Sequence, residues 1–392
     1  MPVSAETDEW IAAEVLRDEF AFSLDEIDSA HDLPSDEKAA VELLARFLGF
    51  ISQRLHEDTQ LTSARTALLL SVYKHFVSTH LSAKDVHSLT SSYDTESRHT
   101  VLSSYFQAFA ALEEQNVSDI PSSPPSALLS AALGGKASIY ALFGGQGTNE
   151  VYFDELQFLY DTYKPFVAPF INTITKDVLE PLAASREDTM FFNYGMNIPA
   201  WLSSPAQRPS LAYIASIPVS SPLIGLTQLI QYLVVCRVSG LTPGDLRKRI
   251  AGTTGHSQGI VSAVAIAASS TFDSFQENAS KAVKWLFFSG CRAQQAFPVV
   301  SLEPAIVQDA VEGGEGVPSP MLSVTGLSLK DLESQINNAN SHLPEGSKLF
   351  LSLHNGPKAY VATGPACVLF GLVTSLRKCH AAVGLDQGKM PF

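Results

Sequence analysis

The chain has 392 residues, and its 26 Lys and Arg against 40 Asp and Glu give a formal net charge of −14. Nucleic-acid-binding proteins carry a basic face, so this acidic balance argues against that class. Hydrophobic residues make up 45% and charged residues 17%, which excludes global disorder and allows sizeable cores. The length favours two or three domains.

The four cysteines are too few and too scattered for a disulfide framework, and none forms a Cys-x-x-Cys pair. They indicate reduced thiols in a cytoplasmic protein without a metal site. The N-terminus is acidic before any long apolar run, unlike a signal peptide. The longest apolar segment, 222–238, contains two glutamines and an arginine. It predicts a buried helix rather than a membrane span, capped by Ser221 and stopped by Gly240.

The first 118 residues have the periodicity of helices. Apolar residues at helical spacing predict helices from position 36 to about 55, at 64–80 and near 101–114. Ser35 is the expected cap of the first, and Ser82 with Asp85 forms a capping-box-like start for a short helix. The histidines of this region lack a pattern such as His-Glu-x-x-His, so we interpret them as packing or surface residues.

A Pro/Ser-rich segment at 119–126 is the best domain boundary, because the pattern changes to α/β after it. The apolar run at 138–143 ends in a Gly-Gly-Gln-Gly loop at 144–147, and a helical pattern follows from Glu150. The same order of strand, glycine turn and helix recurs around 255–259. A strand, helix, strand, strand, helix order at about 321–379 then predicts a small ferredoxin-like subdomain.

Gly255-x-Ser257-x-Gly259 has the spacing of a nucleophile elbow. A serine at a strained turn between strand and helix projects its hydroxyl outward, and the glycines let the backbone pass close beneath it. The following helix directs its unpaired N–H groups to the same place. We therefore expect an oxyanion donor at the N–H of Gln258 and a second donor from the loop at 145–147.

Other interpretations of the two glycine motifs are weaker. Gly-x-Ser-x-Gly alone also occurs as a simple tight turn. The loop at 144–147 lacks the Gly-Lys-Ser/Thr ending of a P-loop and the spacing of a dinucleotide-binding turn, which disfavours phosphate binding. The flanking strands and helices favour the elbow.

Five short motifs, in this order, resemble the N-terminal region of the β subunit of fungal-type fatty acid synthase. They are Phe143-Gly-Gly-Gln-Gly147, Gly255-His-Ser-Gln-Gly259, Glu-Gly-Val-Pro-Ser-Pro-Met-Leu at 315–322, Ser-His-Leu-Pro at 341–344 and Gly-Leu-Asp-Gln at 384–387. The resemblance runs from about Ser138 to the C-terminus, and more loosely over the helical N-terminal region. In that family this region holds the acetyltransferase, or starter acyltransferase, domain.

The resemblance implies an α/β fold. A malonyl/acyl transferase-like large subdomain of α/β-hydrolase type carries an inserted ferredoxin-like small subdomain and follows a helical N-terminal domain. The expected divisions are a helical domain at 1–118, a linker at 119–136, the large subdomain at 137–320, the small subdomain at 321–380 and a return to the large subdomain at 381–392.

The resemblance also implies a two-step transfer, in which Ser257 takes an acetyl group from acetyl-CoA and passes it to the phosphopantetheine thiol of an acyl carrier protein. Gln146 and Gln258 match the positions whose backbone N–H groups form the oxyanion hole. His256 matches a supporting position, and Asn355 an Asn that lines the cleft. The expected partners are the carrier protein and the α subunit, in a hetero-oligomer, with no cofactor in this chain and no nucleic acid or membrane.

Acyl selectivity follows from one position. Malonyl-transferring relatives have an Arg before a Gly on the helix after the elbow helix, where it binds the malonyl carboxylate. Here Ser289 precedes Gly290, so we expect an uncharged acyl group, because a buried unpaired carboxylate is costly. Arg292 is the alternative cation if the helix register differs, although a structural role is favoured.

The chain also departs from the family pattern. The catalytic base there is a histidine in a Pro-Phe-His-Ser type segment, and the sequence ends at Pro391-Phe392. His342, His354 and His380 lie outside that motif, with His354 the most plausible substitute base. We therefore expect a truncated, poorly active transferase that is prone to aggregate.

Other functions stay open on the sequence. A serine hydrolase or thioesterase would use the same elbow, but needs Asp and His on a many-stranded region for which 272–392 shows no pattern. A non-catalytic part in subunit assembly is another alternative. A starter acyltransferase of a polyketide or other secondary-metabolite pathway would differ only in the pathway it serves.

Overall fold

The structure is a computed structural model and describes residues 13–21, 36–55, 57, 61–121, 126–147, 151–185, 191–297 and 301–380. The chain divides into two compact units, Met1–Cys291 and Arg292–Phe392. Each unit has a hydrophobic core of its own. The Gly-Leu-Asp-Gln motif, the segment at 381–392 and the expected cap Ser35 lie outside the described residues.

The first unit is mainly helical and contains two strands. Its helices and strands are α1 (residues 13–21), α2 (Glu37–Gln53), α3 (Thr62–His80), α4 (Val86–Leu89), α5 (Thr95–Glu114), α6 (Ala127–Leu133), β1 (Ile139–Phe143), α7 (Tyr152–Thr162), α8 (Lys164–Ile174), α9 (Glu180–Ala184), α10 (Ile198–Ser203), α11 (Leu211–Ala215), α12 (Ile217–Val238), α13 (Pro243–Arg247), β2 (Ile250–Gly255), α14 (Gly259–Ala267) and α15 (Phe272–Ala296). The division between the units falls within α15, after Cys291. A π-helical turn, Thr175–Leu179, joins α8 to α9.

The helices predicted near the N-terminus are present, but two caps differ from the prediction. Asp36 caps α2 by accepting a hydrogen bond from the N–H of Ala39 at 2.7 Å. Asp85, rather than Ser82, caps α4, because its carboxylate accepts from the N–H groups of His87 and Ser88. In both places a carboxylate beside the helix start satisfies the unpaired amides.

The N-terminal helices share one continuous core with the elements that follow them. Its buried side chains come from α2 and α5 as well as from α7, α8 and α12. Tyr73 stacks on Tyr105 with ring centroids 5.1 Å apart, and Phe106 packs edge-on against Phe166 of α8. The boundaries expected at 118 and 136 stay predictions.

The prediction for the start of α12 was wrong. The helix begins at Ile217, with Pro218 in its first turn, and Pro222 lies inside it. Ser221 does not cap the helix, because its hydroxyl donates to the carbonyl of Leu286 on α15 at 3.1 Å. Gly240 does follow the helix end, with a φ of 63°.

Length and composition would let α12 cross a membrane. In the structure, 89% of its most apolar 18-residue window is buried. This burial is typical of a core helix, which needs apolar residues on every side when it is surrounded by protein.

Strands β1 and β2 are parallel neighbours, and Phe143 is in register with Gly255. One face of this sheet carries α14, to which Thr253 donates a hydrogen bond at the carbonyl of Ala263. Because the strands run in the same direction, their carboxyl ends lie at the same edge. The two glycine motifs that follow them are therefore neighbours.

The second unit has the predicted element order. It contains α16 (Pro304–Glu312), β3 (Met321–Thr325), α17 (Leu329–Ser341), β4 (Phe350–Gly356), β5 (Ala359–Thr363) and α18 (Ala366–His380). The strands form an antiparallel sheet in the order β3-β5-β4. Its core lies between this sheet and the helices, around side chains such as Leu332 and Leu372.

Candidate active site

The glycine loop and the elbow leave the parallel sheet side by side. The N–H of His256 donates to the carbonyl of Phe143 at 2.9 Å, one residue beyond the last pair of the strands. This hydrogen bond joins the start of the elbow to the start of the loop. The carboxyl edge of parallel strands is where ligands bind in open α/β sheets.

Ser257 has the backbone conformation of a nucleophile elbow. Its φ is 52°, in the left-handed region that L-residues other than Asn and Asp rarely adopt. Such strain costs roughly 1–3 kcal/mol and persists where the surroundings over-determine it. The side chain is exposed, so the hydroxyl is accessible to a substrate.

Three glycines make this conformation sterically possible. A Cβ added at Gly255 would lie 2.1 Å from the carbonyl carbon of Gly259, and one at Gly259 would lie 2.3 Å from the carbonyl oxygen of Phe143. A Cβ at Gly145 would lie 2.8 Å from the Cβ of Ser257. No other residue fits at the first two positions without moving backbone atoms, and Gly145 places the loop directly against the serine.

Gln146 and Gln258 present their backbone amides at this junction. Neither N–H donates to a backbone carbonyl within the described part of the chain. Gln258 directly precedes α14, whose N-terminal end carries a partial positive charge. Gln146 directly follows Gly145, and Gln258 directly follows Ser257, so both amides belong to the residues after the two that meet at the junction.

The side chains of these two residues are bound to α12. The amide of Gln146 donates to the hydroxyl of Ser220 at 3.5 Å, and the amide of Gln258 donates to the carbonyl of Ser221 at 3.4 Å. The first turns of α12 therefore contact both the loop and the elbow. Sequence reasoning did not identify these two serines as part of the site, because nothing local relates them to residues 74 and 37 positions away.

The start of α12 also contacts α15 at the position expected to set acyl selectivity. A Cβ at Gly290 would lie 2.7 Å from the carbonyl oxygen of Ile217 and 3.0 Å from the Cβ of Ser221. Ser289, beside it, is half-buried. Arg292 is exposed and donates to Gln295 at 3.2 Å.

The histidines singled out in the sequence lie in different elements of the structure. His256 is exposed next to Ser257. His354 and Asn355 lie on β4 of the second unit, where the His354 ring packs edge-on against Tyr360. Among the described residues, no hydrogen bond joins the Ser257 hydroxyl to an imidazole or a carboxylate. His342 ends α17 in the second unit.

A cavity of about 330 Å³ lies behind the glycine loop, between α7 and α12. Gln228 and Gln231 of α12 border it together with Glu155. The sequence contained one signal for this cavity, which is the pair of glutamines in an otherwise apolar run. Their spacing puts them on one face of the helix.

The Cys236 thiol is not an alternative nucleophile. Burial raises the pKa of the Cys236 thiol to about 12, so it stays protonated at neutral pH. Among the described residues, no three or more His, Cys, Asp or Glu side chains are grouped to hold a metal ion.

Comparison with known proteins gives two family matches. The family described as "Starter unit:ACP transacylase in aflatoxin biosynthesis" matches residues 141–391, and the "N-terminal domain in fatty acid synthase subunit beta" matches residues 1–112. The chain is 36% identical to the fatty acid synthase subunit beta of Saccharomyces cerevisiae and 37% identical to that of Schizosaccharomyces pombe. Both similarities cover 98% of this chain and 19% and 18% of those proteins.

A third relative, the fatty acid synthase beta subunit TOXC of Cochliobolus carbonum, is 36% identical over 87% of this chain and 16% of its own length. The chain therefore spans about a fifth of the length of these three relatives or less.

Proposed function

Because the chain belongs to the family of fungal-type fatty acid synthase β subunits, in the region of the starter acyltransferase domain, we propose that it is an acetyltransferase. It transfers an acetyl group from coenzyme A to an acyl carrier protein through an ester on Ser257. The observation that carries the proposal is the left-handed, exposed Ser257 in contact with Gly145 at the end of two parallel strands.

The first half-reaction forms the ester. The Ser257 oxygen attacks the thioester carbonyl, its proton passes to a general base, and the carbon–sulfur bond breaks to release the coenzyme A thiol. In the second, the phosphopantetheine thiol of the carrier protein attacks the ester and Ser257 regains its proton. The resemblance assigns the base to a histidine in a Pro-Phe-His-Ser type segment, which these 392 residues do not contain. General-base help contributes about 10²–10⁴ in rate.

The N–H groups of Gln146 and Gln258 bind the developing oxyanion in both steps. One such donor is worth about 3–4 kcal/mol in the barrier. The positive end of α14 acts in the same direction. His256 supports the elbow beside the nucleophile.

An uncharged acyl group suits this site. Ser289 lies beside Gly290, which contacts Ser221, and the carbonyl of Ser221 in turn binds the side chain of Gln258. A serine at this point leaves a malonyl carboxylate without a cation. Competition between acetyl-CoA and malonyl-CoA for Ser257 tests this selectivity, and equal loading would make Arg292 the suspected cation.

We also propose the arrangement of subdomains that the family resemblance implies. The β3-β5-β4 order is that of a ferredoxin-like sheet before its fourth strand, which supports an inserted small subdomain in a malonyl/acyl transferase-like large one. The proposed partners are the acyl carrier protein and the α subunit, in a cytoplasmic hetero-oligomer.

Incubation of the full-length subunit with radiolabelled acetyl-CoA tests the function. We expect acid-stable label on the peptide that contains Ser257, and its loss in Ser257→Ala. Ser262→Ala is the matched control, because this serine lies buried on α14 with no hydrogen-bond partner among the described residues. Label retained in Ser257→Ala would refute the proposal.

The same assay separates transfer from hydrolysis. A transferase passes the label to a phosphopantetheine thiol faster than to water. Release of acetate at the same rate with and without carrier protein would instead favour a thioesterase.

A further inference from the structure

Helix α12 contacts the candidate site at three points. Besides its contacts with Gln146 and Gln258 through Ser220 and Ser221, it donates a hydrogen bond from the Gln228 side chain to the carbonyl of Gly144 at 2.7 Å. Residues seven or eight apart lie on the same face of a helix, two turns along. One face of a single buried helix therefore touches both oxyanion-donor segments.

The hydrogen bond at Gly144 is the shortest of the three. Without it, packing against neighbouring atoms would do little to hold Gly144 in place. A Cβ added at Gly144 or Gly147 would meet no described atom within 4 Å. Glycine adopts more backbone conformations than other residues, so a loop with three of them can turn its peptide planes easily. A hydrogen bond to the carbonyl removes that freedom at the first residue of the loop.

The orientation of this carbonyl determines where the next amides point. A peptide group is planar, so fixing the Gly144 oxygen fixes the plane that it shares with the N–H of Gly145. Gly145 lies against Ser257, and the following amide is that of Gln146. A rotation at Gly144 would displace this donor relative to the serine.

The Gln228 side chain is half-buried beside the loop. Its carbonyl oxygen is buried and has no hydrogen-bond partner among the described residues. A buried polar atom without a partner destabilises the folded state. A glutamine whose role was only to fill space would be less stable here than an apolar residue of the same length.

We propose that Gln228 is a positioning residue, which holds the glycine loop so that the N–H of Gln146 is aimed at the oxyanion formed on Ser257. The inference rests on the acyl transfer proposed above. It assigns to the middle of α12 a role in the rate of the chemical step rather than in substrate binding.

Gln231 provides a matched control. It is the same residue type one turn along the same helix, and it borders the same cavity. Its side chain donates to Glu155 of α7 instead of to the loop. Substitution at Gln231 therefore reproduces the local packing change without touching the carbonyl of Gly144.

The experiment measures kcat and KM for acetyl transfer by the full-length subunit. We expect Gln228→Met to lower kcat by roughly 10- to 100-fold, as for a misplaced oxyanion donor, with KM for acetyl-CoA unchanged. Gln231→Met keeps the wild-type kcat. Gln228→Lys, which restores a donor of similar reach, recovers part of the loss.

The outcomes distinguish this inference from the proposed function. If the wild type forms no ester on Ser257, the function itself fails. If the wild type is active and Gln228→Met matches it, or if Gln228→Met and Gln231→Met lose the same rate, Gln228 does not position the loop. Gln228→Lys as inactive as Gln228→Met would also overturn the role of the hydrogen bond. Thermal unfolding of each variant identifies one that has merely failed to fold.

Discussion

Two glycines in the two units show how differently close packing is used in this protein. A Cβ at Gly255 in the elbow would lie 2.1 Å from the main chain of Gly259, whereas a Cβ at Gly313 would lie 2.1 Å from the guanidinium of Arg377. In the first case backbone meets backbone, and nothing can move without opening the turn. In the second, the end of a long side chain meets the backbone and can rearrange.

The side chains around the two glycines differ in the same way. At the elbow the side chains of Gln146, His256 and Ser257 are exposed, and the closest contacts are between backbone atoms. In the second unit the side chain of Arg377 is only 4% exposed and pairs with Glu315 and Asp309. The site is therefore shaped by backbone sterics, whereas the second unit depends on one buried cation.

The largest effect is expected from Gly255→Ala, which puts a methyl group against the main chain of Gly259. Overpacking costs about 1–3 kcal/mol, and more where only backbone can yield. A displacement of about 1 Å at the nucleophile can lower the rate about 10²-fold. We expect Ser257 labelling to be lost and hydrogen exchange to increase around the elbow.

Gly252→Ala is the control for this variant in the same strand. Its Cβ would lie 3.4 Å from the ring of Tyr140, and a side chain that is 63% exposed can shift. Equal labelling by both variants would show that the elbow tolerates a methyl group, contrary to the steric argument.

The next effect is expected from Arg377→Met, which removes the buried cation of the second unit. Hydrogen bonds to Glu315, and more weakly Asp309, raise the pKa of Arg377, against the lowering by burial. The largely buried Glu315 would lose its partner, and breaking such a pair costs about 3–5 kcal/mol. We expect faster hydrogen exchange in α16 and α18.

Lys378→Met supplies the comparison, because Lys378 is the exposed neighbour on the same helix. It should leave exchange in α16 and α18 unchanged. Protection in Arg377→Met equal to that in Lys378→Met would mean that the ion cluster does not stabilise this unit.

The smallest effect concerns a half-buried titratable side chain of the first unit. Burial lowers the pKa of His87, which bonds to the Tyr163 hydroxyl at 2.9 Å; Asp85 opposes this shift and Arg98 adds to it. The unfolded chain, with a histidine pKa of about 6.5, then binds more protons than the folded one below neutrality. Stability should therefore fall as the pH drops through about 6.5 toward the folded pKa.

His87→Gln tests this contribution. We expect the free energy of unfolding of the variant, measured in urea between pH 5 and 8, to depend less on pH than that of the wild type. Identical slopes would place the acid sensitivity at groups other than His87.

Much of the site was predictable because its signals are local. The strand, glycine loop and helix around Gly144, and again around Ser257, follow from short runs of residues whose spacing has a steric cause. The order of elements in the second unit was predicted within a few residues for the same reason. The caps were less predictable, since Asp36 and Ser35, or Asp85 and Ser82, offer competing side chains within one turn.

The start of α12 shows where local reasoning failed. Pro218 and Pro222 both suit a first helical turn, and Ser216 and Ser221 both suit the position before one. The choice depends on contacts with α15, because the Ser221 hydroxyl bonds to Leu286 rather than to its own helix. No signal within the segment carries that information.

The sequence by itself determined the elbow around Ser257, the glycine loop and the family, because glycine spacing and hydrophobic periodicity are properties of consecutive residues. Only the tertiary structure decided that Gly145 lies against Ser257, that α12 contacts both donor segments, and that Gln228 binds the Gly144 carbonyl. Those contacts join residues tens of positions apart. Their formation depends on how helices and strands pack around a common core, and no local pattern encodes that arrangement.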